Sequence, residues 1–172
     1  MSLKEKILAE HSKQQTLRIV NYVGNNKLRF GQLADLFLGN EPLISQRAAW
    51  AVSYCVEMHP ELAKPYLLKF IKNLERPGLH NAIKRNTMRL LQYTDVPKHL
   101  LGTLTNICFG YLNDIKEAIA VKVFSMTVLL NITKKEPGLK NEIKLVIENM
   151  MPNGSAGIRA RGKMILKALE KL

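Results

Sequence analysis

Gln46-Arg47-Ala48-Ala49-Trp50-Ala51-Val52-Ser53-Tyr54-Cys55 is the stretch on which the fold turns. Its apolar residues continue a series that starts at Ile44 and runs through Ala48, Ala51 and Cys55 to Met58, in steps of four and three. That rhythm puts all five on one face of a helix. The same kind of segment returns three times. Lys84-Arg85-Asn86-Thr87-Met88-Arg89-Leu90-Leu91 is one copy. Val121-Lys122-Val123-Phe124-Ser125-Met126 is another, and Ala160-Arg161-Gly162-Lys163-Met164-Ile165 is the last. A cation near the start of each is followed by an apolar-rich run, and Arg47, Arg85, Lys122 and Arg161 lie 38, 37 and 39 positions apart. Prolines 60, 97 and 137 follow three of the copies and lead into another apolar helix. A two-helix unit with this period leaves an apolar face bare until the next unit stacks on it, which is the logic of an α-solenoid.

Outward from the repeat, breakers cut the whole chain into short helices. Gly24-Asn25-Asn26, Gly39 to Pro42, His59-Pro60, Arg76-Pro77-Gly78, Asp95 to Pro97, Glu136-Pro137-Gly138 and Pro152-Asn153-Gly154 all read as turns. Ten helices are expected, near 3–11, 12–24, 27–38, 42–58, 61–75, 80–94, 97–113, 115–134, 137–151 and 155–171. Strand signals are almost absent. The segment from 115 to 134 is apolar on nearly every side, as a covered central helix would be, and Asp at Phe124 is expected to unfold it. In the second copy two registers are compatible with the pattern. Matching cations sets Arg85 against Arg47, whereas matching apolar phase sets Ile83, Thr87 and Leu90 against Ile44, Ala48 and Ala51 and puts Asn86 in the place of Arg47.

Composition bounds the rest. The chain has 172 residues, 47% of them apolar and only 6% aromatic, with one Trp. This is a folding composition with room for a real core. Lys plus Arg number 26 against 14 Asp plus Glu, a formal charge of +12, which favours polyanions and acidic surfaces. Cys55 and Cys108 make no disulfide framework, so a reducing compartment, the cytoplasm, is expected. No apolar run is long enough for a membrane span, and the N-terminus lacks a signal-peptide core.

The chain resembles the HEAT/armadillo-like superfamily, HEAT more closely than armadillo. Glu41 to Val52 carries the likeness: an acid, an Arg six residues later, then small apolar residues. The resemblance implies an all-α right-handed superhelix of about five helix pairs, one domain over 1–172, with a cap pair over 1–24 and four pairs over 27–171. It implies that the acid and the Arg act as a ladder between adjacent repeats. Asp114, eight residues before Lys122, and His80 in the second copy depart from that spacing. It also implies that the second helix of each pair lines a concave surface.

Charge is uneven between the two layers. With the expected boundaries the first helices sum to +3, the second helices to +11 and the turns to −2. The resemblance therefore implies a basic inner surface. The candidate partner-binding residues are Lys84, Arg85, Arg89, Lys122, Arg159, Arg161 and Lys163. Arg159, Lys163, Lys167 and Lys171 also suit a polar stripe capping a terminal repeat. Arg47 reads as a ladder residue. The expected function is non-enzymatic binding of an acidic protein, with nucleic acid as the close alternative.

Chemistry has little to stand on. Cys55 and His59 are four residues apart on one helix, but two ligands make no metal site, and both cysteines read as core thiols. No phosphate loop or nucleophile elbow occurs. HEAT-like DNA alkylation-repair glycosylases use aromatics and an Asp on the concave face. Here the second helices hold only Glu57, Glu117 and Glu170, and Trp50 reads as packing, so that activity is a distant alternative. Tyr54 and Tyr93 could stack on bases or sit in the core. No catalytic residue, cofactor, metal, small-molecule substrate or membrane partner is expected.

Overall fold

The computed structural model describes residues 1–172, all of them in helices, turns and loops. Ten α-helices form: α1 (Leu3–Ala9), α2 (Lys13–Val23), α3 (Lys27–Leu38), α4 (Pro42–Met58), α5 (Leu67–Leu74), α6 (Asn81–Leu91), α7 (Lys98–Asn113), α8 (Ile119–Thr133), α9 (Lys140–Met150) and α10 (Ala156–Leu169). They make five pairs, the all-α helix-pair pattern of a solenoid.

Local chemistry explains the boundaries. Ser2 and Glu5 form a reciprocal capping box at the start of α1. Ser12, Asn26, His80 and Ser155 accept from the first turns of α2, α3, α6 and α10. Pro42 opens α4, where its missing N–H costs nothing. Gly24 and Gly78 turn with φ of 49° and 68°, where a side chain would be strained. Three starts differ from the sequence expectation, the simplest at α9, where residues 137–139 form a 3-10 turn before Lys140. Residues 60–66 form a 3-10 segment ahead of α5, because Pro65 cannot donate within an α-helix. The helix expected from 115 begins at Ile119, because the Asp114 carboxylate accepts from the Lys116 N–H and holds a turn there.

The chain divides into two compact units, Met1–Val96 and Pro97–Leu172. In the first, α4 is the central helix, packed against α2, α3 and α6. Its contact face is built from Ala48, Ala51, Val52 and Val56, small enough to bring neighbouring helices close. An aromatic cluster fills the layer of α3 and α5: Phe37 and Phe70 have ring centroids 5.5 Å apart, Phe30 and Tyr66 5.6 Å. In the second unit α8 is central, packed against α7, α9 and α10. Its core is aliphatic and thioether, with Met126, Leu129 and Ile132 buried against partners such as Leu104, Ile147 and Ile165. Phe124, expected in this core, is only half-buried. Gly162 lets α10 sit against α9, since a Cβ there would stand 2.9 Å from the Met151 sulfur.

The register of the second copy follows apolar phase. Ile83, Asn86, Thr87 and Leu90 are buried and Arg85 is exposed. Asn86 takes the inter-repeat position: its Oδ1 lies 3.3 Å from the Ser53 hydroxyl of α4. Arg47 holds the matching place one repeat earlier and donates to the Leu8 carbonyl at 2.9 Å. Arg161 does the same in the fourth copy, donating to the Thr127 hydroxyl of α8. For Arg47 and Asn86 the ladder contact is to a neutral group, the Leu8 carbonyl and the Ser53 hydroxyl. Glu41 does not pair with Arg47; it reaches the preceding pair separately, through Lys4 at 2.7 Å.

Candidate partner-binding helices

The observed boundaries sharpen the contrast in charge. The second helices, α2, α4, α6, α8 and α10, carry eleven cations and a single carboxylate, Glu57. The first helices, with the 3-10 segments that precede α5 and α9, carry ten cations and five carboxylates. Glu117 and Glu170, expected within second helices, fall just outside them.

The seven candidate cations fall into two groups. Lys84, Arg85 and Arg89 belong to α6 in the first unit. Arg85 is open to solvent, and Lys84 and Arg89 are half-buried. Arg89 is held on both sides: its guanidinium donates to Glu57 Oε2 at 2.6 Å and lies 4.2 Å from the centre of the Tyr54 ring. Tyr93, just beyond α6, donates to Glu57 Oε1 at 3.1 Å. Lys122, Arg159, Arg161 and Lys163 belong to the second unit, on α8 and α10. Arg159 and Lys163 are exposed, and Arg159 donates to the Gly154 carbonyl. Arg161 is half-buried in the ladder. Lys122 is only 8% exposed and lines a groove of about 490 Å³ together with Glu117, Ile119, Ser155 and Ile158.

Electrostatics in the first unit follow from Arg89. The guanidinium beside Tyr54 is the largest influence on that phenol and holds its pKa below the ordinary tyrosine value. Burial opposes the charge on Arg89 itself, but Tyr54 and Glu57 outweigh it and the guanidinium is raised. Tyr93 is pushed up, first by burial and then by the Glu57 charge beside it.

Sequence reasoning missed the surface position of Trp50, which it placed in packing. The indole is half-buried, in edge contact with His11 at 6.0 Å and 6.4 Å from the Tyr54 ring. A legible signal existed. Leu43, Arg47, Trp50, Tyr54 and Glu57 step by three and four and so share a face of α4 apart from the Ala48–Ala51 seam. The two thiols are core groups: both are free and buried, and burial pushes Cys55 up to about 12 and Cys108 up as well. No helix is long and apolar enough to cross a membrane.

No curated protein and no solved structure matches this chain significantly. A family match covers nearly all of it, residues 3–169. With five helix pairs and the ladder contacts of Arg47, Asn86 and Arg161 already described, that match places the chain in the HEAT repeat domain family.

Proposed function

We propose that this chain is a non-enzymatic binding protein of the cytoplasm that uses the cations of its second helices to hold an acidic protein partner, with 1–172 acting as one repeat domain. HEAT arrays are built to present extended binding surfaces, which supports the general class. The observation that carries the specific reading is the composition of the second helices, eleven cations against one carboxylate. Lys84, Arg85 and Arg89 supply the charge in the first unit, and Lys122, Arg159, Arg161 and Lys163 supply it in the second. Such a surface speeds encounter with a negative partner and selects against positive ones. The non-enzymatic reading is supported by Glu57, the one acid of these helices, whose two oxygens are taken by Arg89 and Tyr93.

Nucleic acid is the second reading. Trp50 and Tyr54 give it a specific footing, because two half-buried rings 6.4 Å apart, one of them beside Arg89, suit base stacking. The test is fluorescence anisotropy with labelled poly-L-glutamate and a labelled 20-nucleotide single strand, each titrated over a range of salt. The acidic-protein reading expects salt-sensitive binding of polyglutamate at least as tight as that of the oligonucleotide. Tighter binding of the oligonucleotide at every salt concentration would move the assignment to nucleic acid, and no binding of either would overturn the cationic reading.

A further inference from the structure

Charge alone gives attraction without register. Register needs a fixed group, and the first unit contains one. Arg89 cannot swing freely, being bonded to Glu57 and stacked over Tyr54, while Glu57 is itself pinned by the Tyr93 hydroxyl. Trp50 lies one turn before Tyr54 on the same face of α4, and Met58, one turn after it, is 59% exposed. Tyr93 is 41% exposed. Rigid Trp, Tyr and Arg side chains at a surface lose little entropy on binding and are the residue types that dominate interface energetics.

We infer that Trp50, Tyr54 and Arg89 form the anchor of the partner surface, and that its occupant is an acidic polypeptide segment carrying an aromatic side chain. The inference rests on the acidic-protein reading above. The acidity is required by charge complementarity: α2, α4 and α6 present Lys13, Arg18, Arg47, Lys84, Arg85 and Arg89, and their one carboxylate is already satisfied. The aromatic is required by the rings, which charged side chains alone would leave with poor packing. A polypeptide fits better than a nucleic acid because of Glu57. A nucleic acid carries a phosphate at every residue and brings one against that carboxylate, whereas a polypeptide can space its acids and set an apolar side chain there.

The test uses the intact protein and two probes of equal length, poly-L-glutamate and a random copolymer of glutamate and tyrosine. Trp50 is the sole tryptophan, so emission excited where tyrosine does not absorb reports on the anchor directly. The copolymer is expected to bind about tenfold tighter than polyglutamate, the worth of one aromatic contact. It should shift the Trp50 emission to the blue, and polyglutamate should not. Trp50→Ala should remove the preference for the copolymer; the emission measurement on the unaltered protein stands even if that variant folds poorly. Equal affinities, or a copolymer preference without an emission change, overturn the anchor and leave the cationic reading intact. Failure of both polymers to bind overturns both. A larger emission shift and tighter binding with a thymidine 20-mer would assign the rings to bases and overturn the anchor.

Discussion

The second helices of the two units hold their cations in different ways. In the first unit Arg89 is fixed by a carboxylate and the Tyr54 ring, Tyr93 shares that carboxylate, and Trp50 lies 6.4 Å from the Tyr54 ring. In the second unit no carboxylate lies on α8 or α10, and the two arginines donate to neutral oxygens, Arg161 to Thr127 and Arg159 to Gly154. The cores differ in parallel, aromatic between α3 and α5 and aliphatic around α8. The contrast separates two uses of a positive side chain. A charge held by a carboxylate and a ring gives direction. An exposed charge outside such a lock, like that of Lys163, gives mainly attraction.

The largest effects should come from the cores. Leu129→Asp buries a carboxylate among apolar groups in α8 and should cost about 4 kcal/mol or more, seen as loss of helicity by circular dichroism. Phe124→Asp, at a half-buried position, should cost clearly less. Phe70→Ala in the aromatic layer should cost about 3–5 kcal/mol by urea denaturation. The fixed arginine comes next. Its side chain is 22% exposed and that of Glu57 33%, so Glu57→Gln should cost about 1–2 kcal/mol by urea denaturation, since a partly buried guanidinium loses its charged acceptor. Arg159→Ala, which removes a bond to a neutral carbonyl at an exposed position, should cost about 0.5–1 kcal/mol. Equal losses for those two would erase the distinction between the units.

A smaller effect tests the electrostatics of the anchor. Tyr54 has its pKa lowered by Arg89, so the folded state favours the tyrosinate. Its contribution to stability therefore grows as pH climbs through the lowered pKa and is complete above the unfolded value of about 10. That contribution is lost as pH falls back through the lowered pKa. An ultraviolet titration should show one phenol ionising early, and Tyr54→Phe should remove that phase. The smallest stability change belongs to Arg85→Ala, within about 0.5 kcal/mol, because its side chain is exposed.

Much of the fold is legible in the sequence because its breakers are strong. Pro42 and Pro97 mark the starts of α4 and α7 to within a residue, and Pro60 and Pro137 open the 3-10 segments that lead into α5 and α9. The start of α8 is not legible, because a side-chain bond from Asp114 to the Lys116 N–H decides it and Asn113-Asp114 is a weak signal. The second-copy register is ambiguous in sequence, since Arg85 and Asn86 are adjacent and each suits one criterion. Burial resolves it, because Asn86 is buried beside Ser53 while Arg85 is exposed. The candidate surface is legible as a charge imbalance but not as a site. That Glu57 would reach across to α6 and lock Arg89 depends on how α4 and α6 pack, and nothing in either helix alone states it.

The central claim is that placement of the cations, and not net charge, governs partner binding. It is tested most directly by two double charge reversals. Arg85→Glu with Lys163→Glu alters exposed cations of second helices, and Lys72→Glu with Lys144→Glu alters exposed cations of first helices by the same total charge. Affinity for labelled polyglutamate at low salt should fall about tenfold or more for the second-helix pair and no more than about twofold for the first-helix pair. Equal losses from the two pairs would contradict the account.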